Sequence, residues 1–275
     1  MEEITAEYAT DQIVAAVALE ARPWVTVAAK TDLGRVRENN EDKYEFYQPE
    51  DESTLASRGQ VFLVCDGMGG HAAGQIASEI ACKTFIDVYL HHPASEPEAA
   101  MRAAVVAANR FVNDVGRAVP SRKGMGTTLS SLILLQNKAY TVQVGDSRIY
   151  RLRTGTLVQL THDHTWVDEA VLRGMITHEE GENHPYKHVL TRAIGTEGDV
   201  QPDVDSGEVM QGDLYLLCSD GLINHVDDAT IAETLSTASA PSEAAWKLVG
   251  QALQGGGSDN CTVMIVRVDS VEQVK

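Results

Sequence analysis

Apolar residues recur along the chain with two different periods, and the switches between them predict an order of elements. At Ala77, Ile80, Ala81, Thr84, Phe85 and Val88 the spacing is i, i+3, i+4, i+7, i+8, i+11, one apolar stripe on a helix of roughly 18 residues. Met101, Val105, Ala108, Val112 and Val115 draw a second stripe after the Pro93/Pro97 break. Before this pair, residues 24–29, 43–47 and 61–65 are rich in β-branched and aromatic side chains and read as strands, with the acidic insert 50–53 as a loop. After it, residues 127–159 alternate again. Turn signals at Asn137-Lys138, Gly145-Asp146 and Thr154-Gly155 make this stretch read as a meander. Residues 166–173 read as a short helix and 174–186 as a polar, mobile surface segment. Strands at 213–219 and 261–268 bracket helices at 227–235 and 242–253. Helices grouped in pairs between blocks of strands predict an α+β fold with antiparallel sheets rather than a βαβ alternation.

No repeat, low-complexity tract or Pro/Gly/Ser linker interrupts this order, so one domain is expected over residues 23–270, preceded by a helical extension at 1–22. The longest uninterrupted apolar run is Ile13 to Leu19, too short to span a bilayer, and the start Met1-Glu2-Glu3 lacks the positive region of a signal peptide. A cytoplasmic protein without a membrane partner is the expectation. The formal charge of −18 repels phosphate backbones, which argues against nucleic acid. Cys65, Cys82, Cys218 and Cys261 lie far apart with no C-x-x-C pair, so they read as buried, reduced thiols rather than a zinc site or disulfides.

Candidate chemistry gathers where strands stop. Aspartates end or begin apolar runs at Cys65-Asp66-Gly67, Gly145-Asp146-Ser147, Ser219-Asp220-Gly221 and Ser258-Asp259-Asn260, and Asp42 directly precedes a strand. Taken singly, each is an ordinary turn or cap residue. Taken together, hard oxygen donors converging from several strands are what Mg²⁺ or Mn²⁺ requires, and such a set suits two metals about 4 Å apart. The glycines after Asp66 lack the Gly-Lys-Ser/Thr ending of a nucleotide P-loop.

Eight ordered segments carry a resemblance. Thr31-Asp-x-Gly-x-Val-Arg-x-x-Asn-Glu-Asp42, Asp66-Gly-Met-Gly-Gly-His71, Gly126-Thr-Thr-Leu129 and Val144-Gly-Asp-Ser-Arg-Ile-Tyr150 come first. Leu160-Thr-x-Asp-His164, Leu190-Thr-Arg-Ala-Ile-Gly195, Ser219-Asp-Gly-Leu222 and Asp259-Asn260 follow. This series resembles the motifs of the metal-dependent serine/threonine protein phosphatases of type 2C in their bacterial form, over about residues 24–268.

The resemblance implies a four-layer α-β-β-α sandwich, two antiparallel sheets flanked by helix pairs, with a binuclear Mn²⁺ or Mg²⁺ centre at one end and a third, weaker ion. Asp66 would bridge both metals and the Gly67 carbonyl would bind the first. Asp220 and Asp259 would ligate the second, Asp42 would act at the first or through its waters, and Asp146 would help hold the third. Arg37 would grip the substrate phosphate, and a metal-bridging hydroxide would attack it with no phosphoenzyme. Relatives from animals and plants resemble Asp-Gly-His where this chain has Met68, so His71 is the candidate proton donor here, against the plainer reading of a surface residue. Residues 165–190, with His178 and His184, resemble the family's flap beside the active site. The implied substrates are phosphorylated proteins, with a bacterial serine/threonine kinase as partner. A catalytically silent relative and a phosphatase of small phosphoesters remain the alternatives.

Overall fold

The computed structural model describes residues 17–69, 72–182 and 184–274. In chain order the elements are β1 (Ala21–Asp32), β2 (Lys43–Tyr47), α1 (Glu52–Arg58), β3 (Gln60–Cys65) and the short β4 (Gly67–Met68). Then come α2 (Ala72–His91), α3 (Pro97–Ala118), the short β5 (Gly126–Thr127), β6 (Leu129–Leu135), β7 (Lys138–Val144), β8 (Arg148–Arg153) and β9 (Thr156–Gln159). The chain continues with α4 (Trp166–Leu172), α5 (His178–Glu182), β10 (Asp203–Glu208), β11 (Leu214–Cys218), α6 (Asp220–Ile223), α7 (Asp228–Thr237), α8 (Pro241–Gln254) and β12 (Cys261–Gln273).

Two five-stranded antiparallel sheets form, one ordered β1-β12-β11-β8-β9 and the other β10-β7-β6-β3-β2. Period-two alternation sorts their side chains into three cores. On β3, Val61, Leu63 and Cys65 pack on the α2/α3 pair with Ala77, Phe85 and Met101, whereas Phe62 and Val64 meet Tyr215, Leu217, Met264 and Val266 of the facing sheet. On the other sheet Leu216, Cys218, Val263 and Ile265 turn to Ile231, Leu235, Leu248 and Val249 of α7 and α8. The result is the α-β-β-α sandwich, and it explains why β3 is an unbroken apolar run: both of its faces are covered.

Register fixes where the functional edge lies. Strands β3 and β7 both run antiparallel to β6, so their C-terminal ends emerge together. In the facing sheet Cys218 at the end of β11 pairs with Val263 near the start of β12, and Asp32 at the end of β1 pairs with Cys261. Lys43 at the start of β2 pairs with Cys65 at the end of β3. The loop from Asp32 to Lys43 therefore crosses from one sheet to the other along this edge, carrying Arg37.

The structure departs from the sequence reading at four places. The stretch 127–159 is not one meander: β6 and β7 belong to one sheet, β8 and β9 to the other, and the chain changes sheets at Gly145–Ser147. The insert 50–53 is not all loop, because Asp51 caps α1 by accepting from the Thr54 N–H at 2.8 Å. Strand β10 (DVDSGE) escapes the periodicity because it is an edge strand with mostly exposed polar side chains, paired only to β7. Of the expected helix at 1–22, residues 1–16 lie outside the described residues, 17–20 carry no regular structure and β1 begins at Ala21.

Phe62 is fully buried at the sheet-to-sheet interface. Phe62→Ala should lower unfolding free energy by about 3–5 kcal/mol, read from urea denaturation, because the surrounding strands cannot collapse onto the void.

Candidate active site

Asp66 is held by backbone contacts at the end of β3. The Asp66 N–H donates to Thr128 Oγ1 at 2.8 Å, and its carbonyl accepts from the Thr128 N–H at 2.9 Å and from Thr127 Oγ1 at 2.8 Å. Gly67 is required for packing, since a Cβ there would stand 2.2 Å from the Gly74 carbonyl oxygen of α2. Thr128 Oγ1 lies 2.7 Å from Ser147 Oγ, which ties the Asp66 turn to the crossover that carries Asp146.

That crossover is braced from behind. Gly145 adopts φ 102°, its N–H donates to His164 Nδ1 at 3.1 Å, and its carbonyl accepts from the His164 N–H at 2.9 Å. His164 Nε2 in turn faces Asp203 Oδ2 at 3.1 Å. Arg148 clasps Asp163 at 2.7–3.0 Å through two nitrogens. The motif Leu160-Thr-x-Asp-His164 thus acts as a buttress for the Asp146 segment, a role that sequence reading did not assign.

On the facing sheet Asp220 opens α6, with Oδ2 accepting from Asn224 Nδ2 at 3.1 Å, while Asp259 Oδ2 accepts from Arg37 Nη2 at 2.6 Å. Asn260 anchors the Arg37 loop: its Oδ1 accepts from the Glu41 N–H at 2.8 Å, and its Nδ2 donates to the Leu33 and Asn39 carbonyls at 2.9 and 3.0 Å.

These elements enclose a cleft of about 610 Å³ whose walls include Arg37, Asp66, Gly67, Asp146, Asp220 and Asp259. Six of the eight sequence candidates are brought together. Asp42 is not among the lining residues; Glu41 is. Asp42 is buried beside the cleft, accepting from Ser219 Oγ at 2.7 Å, and its charge is the foremost repulsion on Asp66. His71 lies outside the described residues. In the 165–190 segment the cleft is lined by His188 and Leu190. His184 instead stacks on Trp166 at 4.7 Å and His178 begins α5. His188 Nδ1 stands 4.0 Å from Asp220 Oδ2. Its sequence neighbourhood gave no signal, because only the fold of this segment carries it over the cleft.

The electrostatics are those of like charges withdrawn from water. Burial, followed by repulsion from Asp42, Asp220, Asp146 and Asp259, holds the Asp66 carboxyl well above its usual range. Burial and then Asp220 push Asp146 up to about 8. Burial raises Asp42 to about 7 against hydrogen bonds from Thr262 and Ser219, and burial and then Asp259 raise Asp220. Buried Oδ1 atoms of Asp42 and Asp220 have no hydrogen-bond partner. Among the described residues no three His, Cys, Asp or Glu side chains already stand as a closed metal cage. The orphaned oxygens, all-oxygen chemistry and mutual repulsion nevertheless fit hard divalent cations that keep part of their water shell.

The protein phosphatase 2C model matches residues 35–252. The chain belongs to the protein phosphatase 2C family. It is 36% identical over 248 residues to the serine/threonine phosphatase stp of Listeria monocytogenes, covering 89% of this chain and 96% of that protein. It is also 39% identical over 241 residues to the serine/threonine protein phosphatase PstP of Mycobacterium tuberculosis, covering 88% of this chain but only 44% of PstP. Among solved structures, the Streptococcus agalactiae serine/threonine phosphatase superposes with a TM-score of 0.82 at 33% identity, covering 89% of this chain and all of that one. The catalytic domain of PstP in complex with two manganese ions gives 0.74 at 38% identity, covering 88% and 97%. The fold and family are those of bacterial metal-dependent serine/threonine phosphatases, and divalent-metal dependence belongs to that family.

A carboxyl whose folded pKa exceeds its unfolded value binds more protons in the native state, so the metal-free fold loses stability as pH rises from about 4 towards 8. Asp146→Asn removes one such group. In excess chelator this variant should melt at the same temperature as wild type near pH 4 and higher than wild type at pH 8. Scanning calorimetry across that window checks it; a lower melting temperature at pH 8 would contradict the electrostatic reading.

Proposed function

We infer that this chain is a metal-dependent protein serine/threonine phosphatase acting on phosphorylated proteins, with residues 23–270 as one catalytic unit and 165–190 as a flap over its cleft. The observation that carries this reading is the joining of four half-buried strand-end aspartates from both sheets with one arginine at a single cleft. A protein of charge −18 attracts a phosphate dianion only where local positive charge overrides it. Asp66 and the Gly67 carbonyl would hold one Mn²⁺ or Mg²⁺ ion, and Asp66, Asp220 and Asp259 a second. Asp146 would serve a third. Asp42 would support the set from beside the cleft through Ser219. Bound cations supply charge for the phosphate and activate a water for attack.

Arg37 is half exposed, with one of its five N–H donors engaged by Asp259. Pairing with that carboxylate aims the guanidinium at the space beside Asp66, where its fork can hold a phosphate bidentately. Asp259 thereby serves two groups, and Arg37 is oriented before substrate arrives. A serine/threonine kinase of bacterial type is the natural counterpart, since it would make the phosphoproteins that this enzyme consumes. Among the described residues no helix is long and apolar enough to cross a membrane.

Activity towards a phosphothreonine peptide should vanish with excess chelator and return on dialysis into Mn²⁺ or Mg²⁺. Asp66→Asn should stay inactive with added metal; turnover at the wild-type rate in either condition would defeat the reading. Arg37→Ala should lose about 1.5–3 kcal/mol in kcat/KM, with much of it in KM, while calorimetric Mn²⁺ binding is preserved. Unchanged kcat/KM would remove Arg37 from phosphate binding.

A further inference from the structure

The turn between α8 and β12 carries Ser258 and Asp259, and a side chain from outside it, His225, holds the Ser258 backbone. His225 follows α6, where its N–H donates to the Leu222 carbonyl at 3.1 Å. Its Nε2 accepts from the Ser258 N–H at 3.1 Å and lies 2.8 Å from Ser258 Oγ. A nitrogen that accepts a backbone N–H carries no proton, so the imidazole acts here as an acceptor. The ring lies against bare glycine backbone: a Cβ on Gly255 would sit 2.9 Å from His225 Cβ, and one on Gly256 3.2 Å from Cε1.

This turn reaches the phosphate-binding loop directly. The Gly257 carbonyl accepts from the Arg35 N–H at 2.7 Å, two residues before Arg37. A Cβ on Gly34 would stand 2.2 Å from the Asp259 carbonyl oxygen and 2.9 Å from that of Gly257, so the two loops are in backbone contact. Ser258 and Asp259 both line the cleft, and Asp259 holds Arg37 at 2.6 Å. Among the described residues His225 is the side chain that pins the Ser258 N–H, through a contact spanning 33 residues of sequence. α8 ends in the same turn, with the Gly255 and Gly257 N–H groups donating to the Gln251 and Ala252 carbonyls at 2.8 and 3.0 Å. The helix therefore fixes one end of the turn and His225 the other.

We propose that His225 is a positioning residue for substrate phosphate: by fixing Ser258 it sets the Gly257–Asp259 backbone that orients Arg35 and Arg37. The inference rests on the reading of Arg37 as the phosphate-binding arginine. His225 touches neither substrate nor the reacting atoms.

The test is a double-mutant cycle read by inorganic phosphate as a competitive inhibitor, alongside KM and kcat for a phosphothreonine peptide with saturating Mn²⁺. His225→Ala should raise KM and the phosphate inhibition constant about five- to tenfold, with kcat changed less than about twofold. The double variant His225→Ala/Arg37→Ala should bind phosphate within about twofold of Arg37→Ala alone, because the histidine acts through the arginine. His225→Gln, whose amide oxygen can accept the Ser258 N–H, should recover most of the loss. The proposal is overturned if His225→Ala changes only the melting temperature, or if its effect on phosphate multiplies with that of Arg37→Ala. If Arg37→Ala leaves the inhibition constant unchanged while His225→Ala raises it, the Arg37 assignment fails and the coupling proposed here fails with it. Loss of all turnover in wild-type protein would instead defeat the phosphatase reading.

Discussion

The structure is organised around the crowding of like-charged, partly desolvated carboxylates at one edge of a two-sheet sandwich. Isolated carboxylates withdrawn from water cost several kcal/mol each, and here they also repel one another. Among the described residues the one arginine lining the cleft, Arg37, is shared with Asp259, and Asn224 donates to Asp220. The remaining charge is paid for in rigidity: apolar strands on three cores hold the aspartates where a loop would let them swing out to solvent. Such an arrangement suits divalent cations, which would give an otherwise anionic surface a place for phosphate.

Much of the geometry follows from antiparallel register. Asp66 and Asp146 leave the parallel-running β3 and β7 of one sheet; Asp220 leaves β11 and Asp259 precedes β12 in the other. Sheet-to-sheet packing of Phe62, Tyr215, Leu217 and Met264 brings those ends face to face. The Asp32–Lys43 loop spans both sheets because β1 and β2 lie in different ones, which places Arg37 across the gap. Second-rank residues then fix the angles: Thr128 and Ser147 join the two turns of one sheet, and Asn260 joins the loop to the other.

The apolar stripes of α2 and α3 and the buried strands were legible in the sequence because burial imposes a period. So were the strand-end aspartates, since a polar residue that stops an apolar run stands out. Polar structure on the rim was not legible. Strand β10 has no apolar face to betray it, and the sheet change at Gly145–Ser147 looks like a hairpin turn until the partners of β8 are known. Telling Glu41 from Asp42 at the cleft wall required the direction of entry into β2. His164 and Asn260 stand within the ordered motifs, but what they hold lies distant in sequence, and His188 lies in none of the motifs.

The central claim is that the strand-end aspartates form a divalent-cation centre. Its most direct test is anomalous scattering from crystals of the protein grown with Mn²⁺, measured on either side of the manganese absorption edge. The account predicts two manganese peaks inside the cleft, both in contact with the Asp66 carboxylate and one also reached by Asp220 and Asp259. Crystals in saturating Mn²⁺ with no peak in the cleft, or with manganese only at surface carboxylates remote from Asp66, would contradict it.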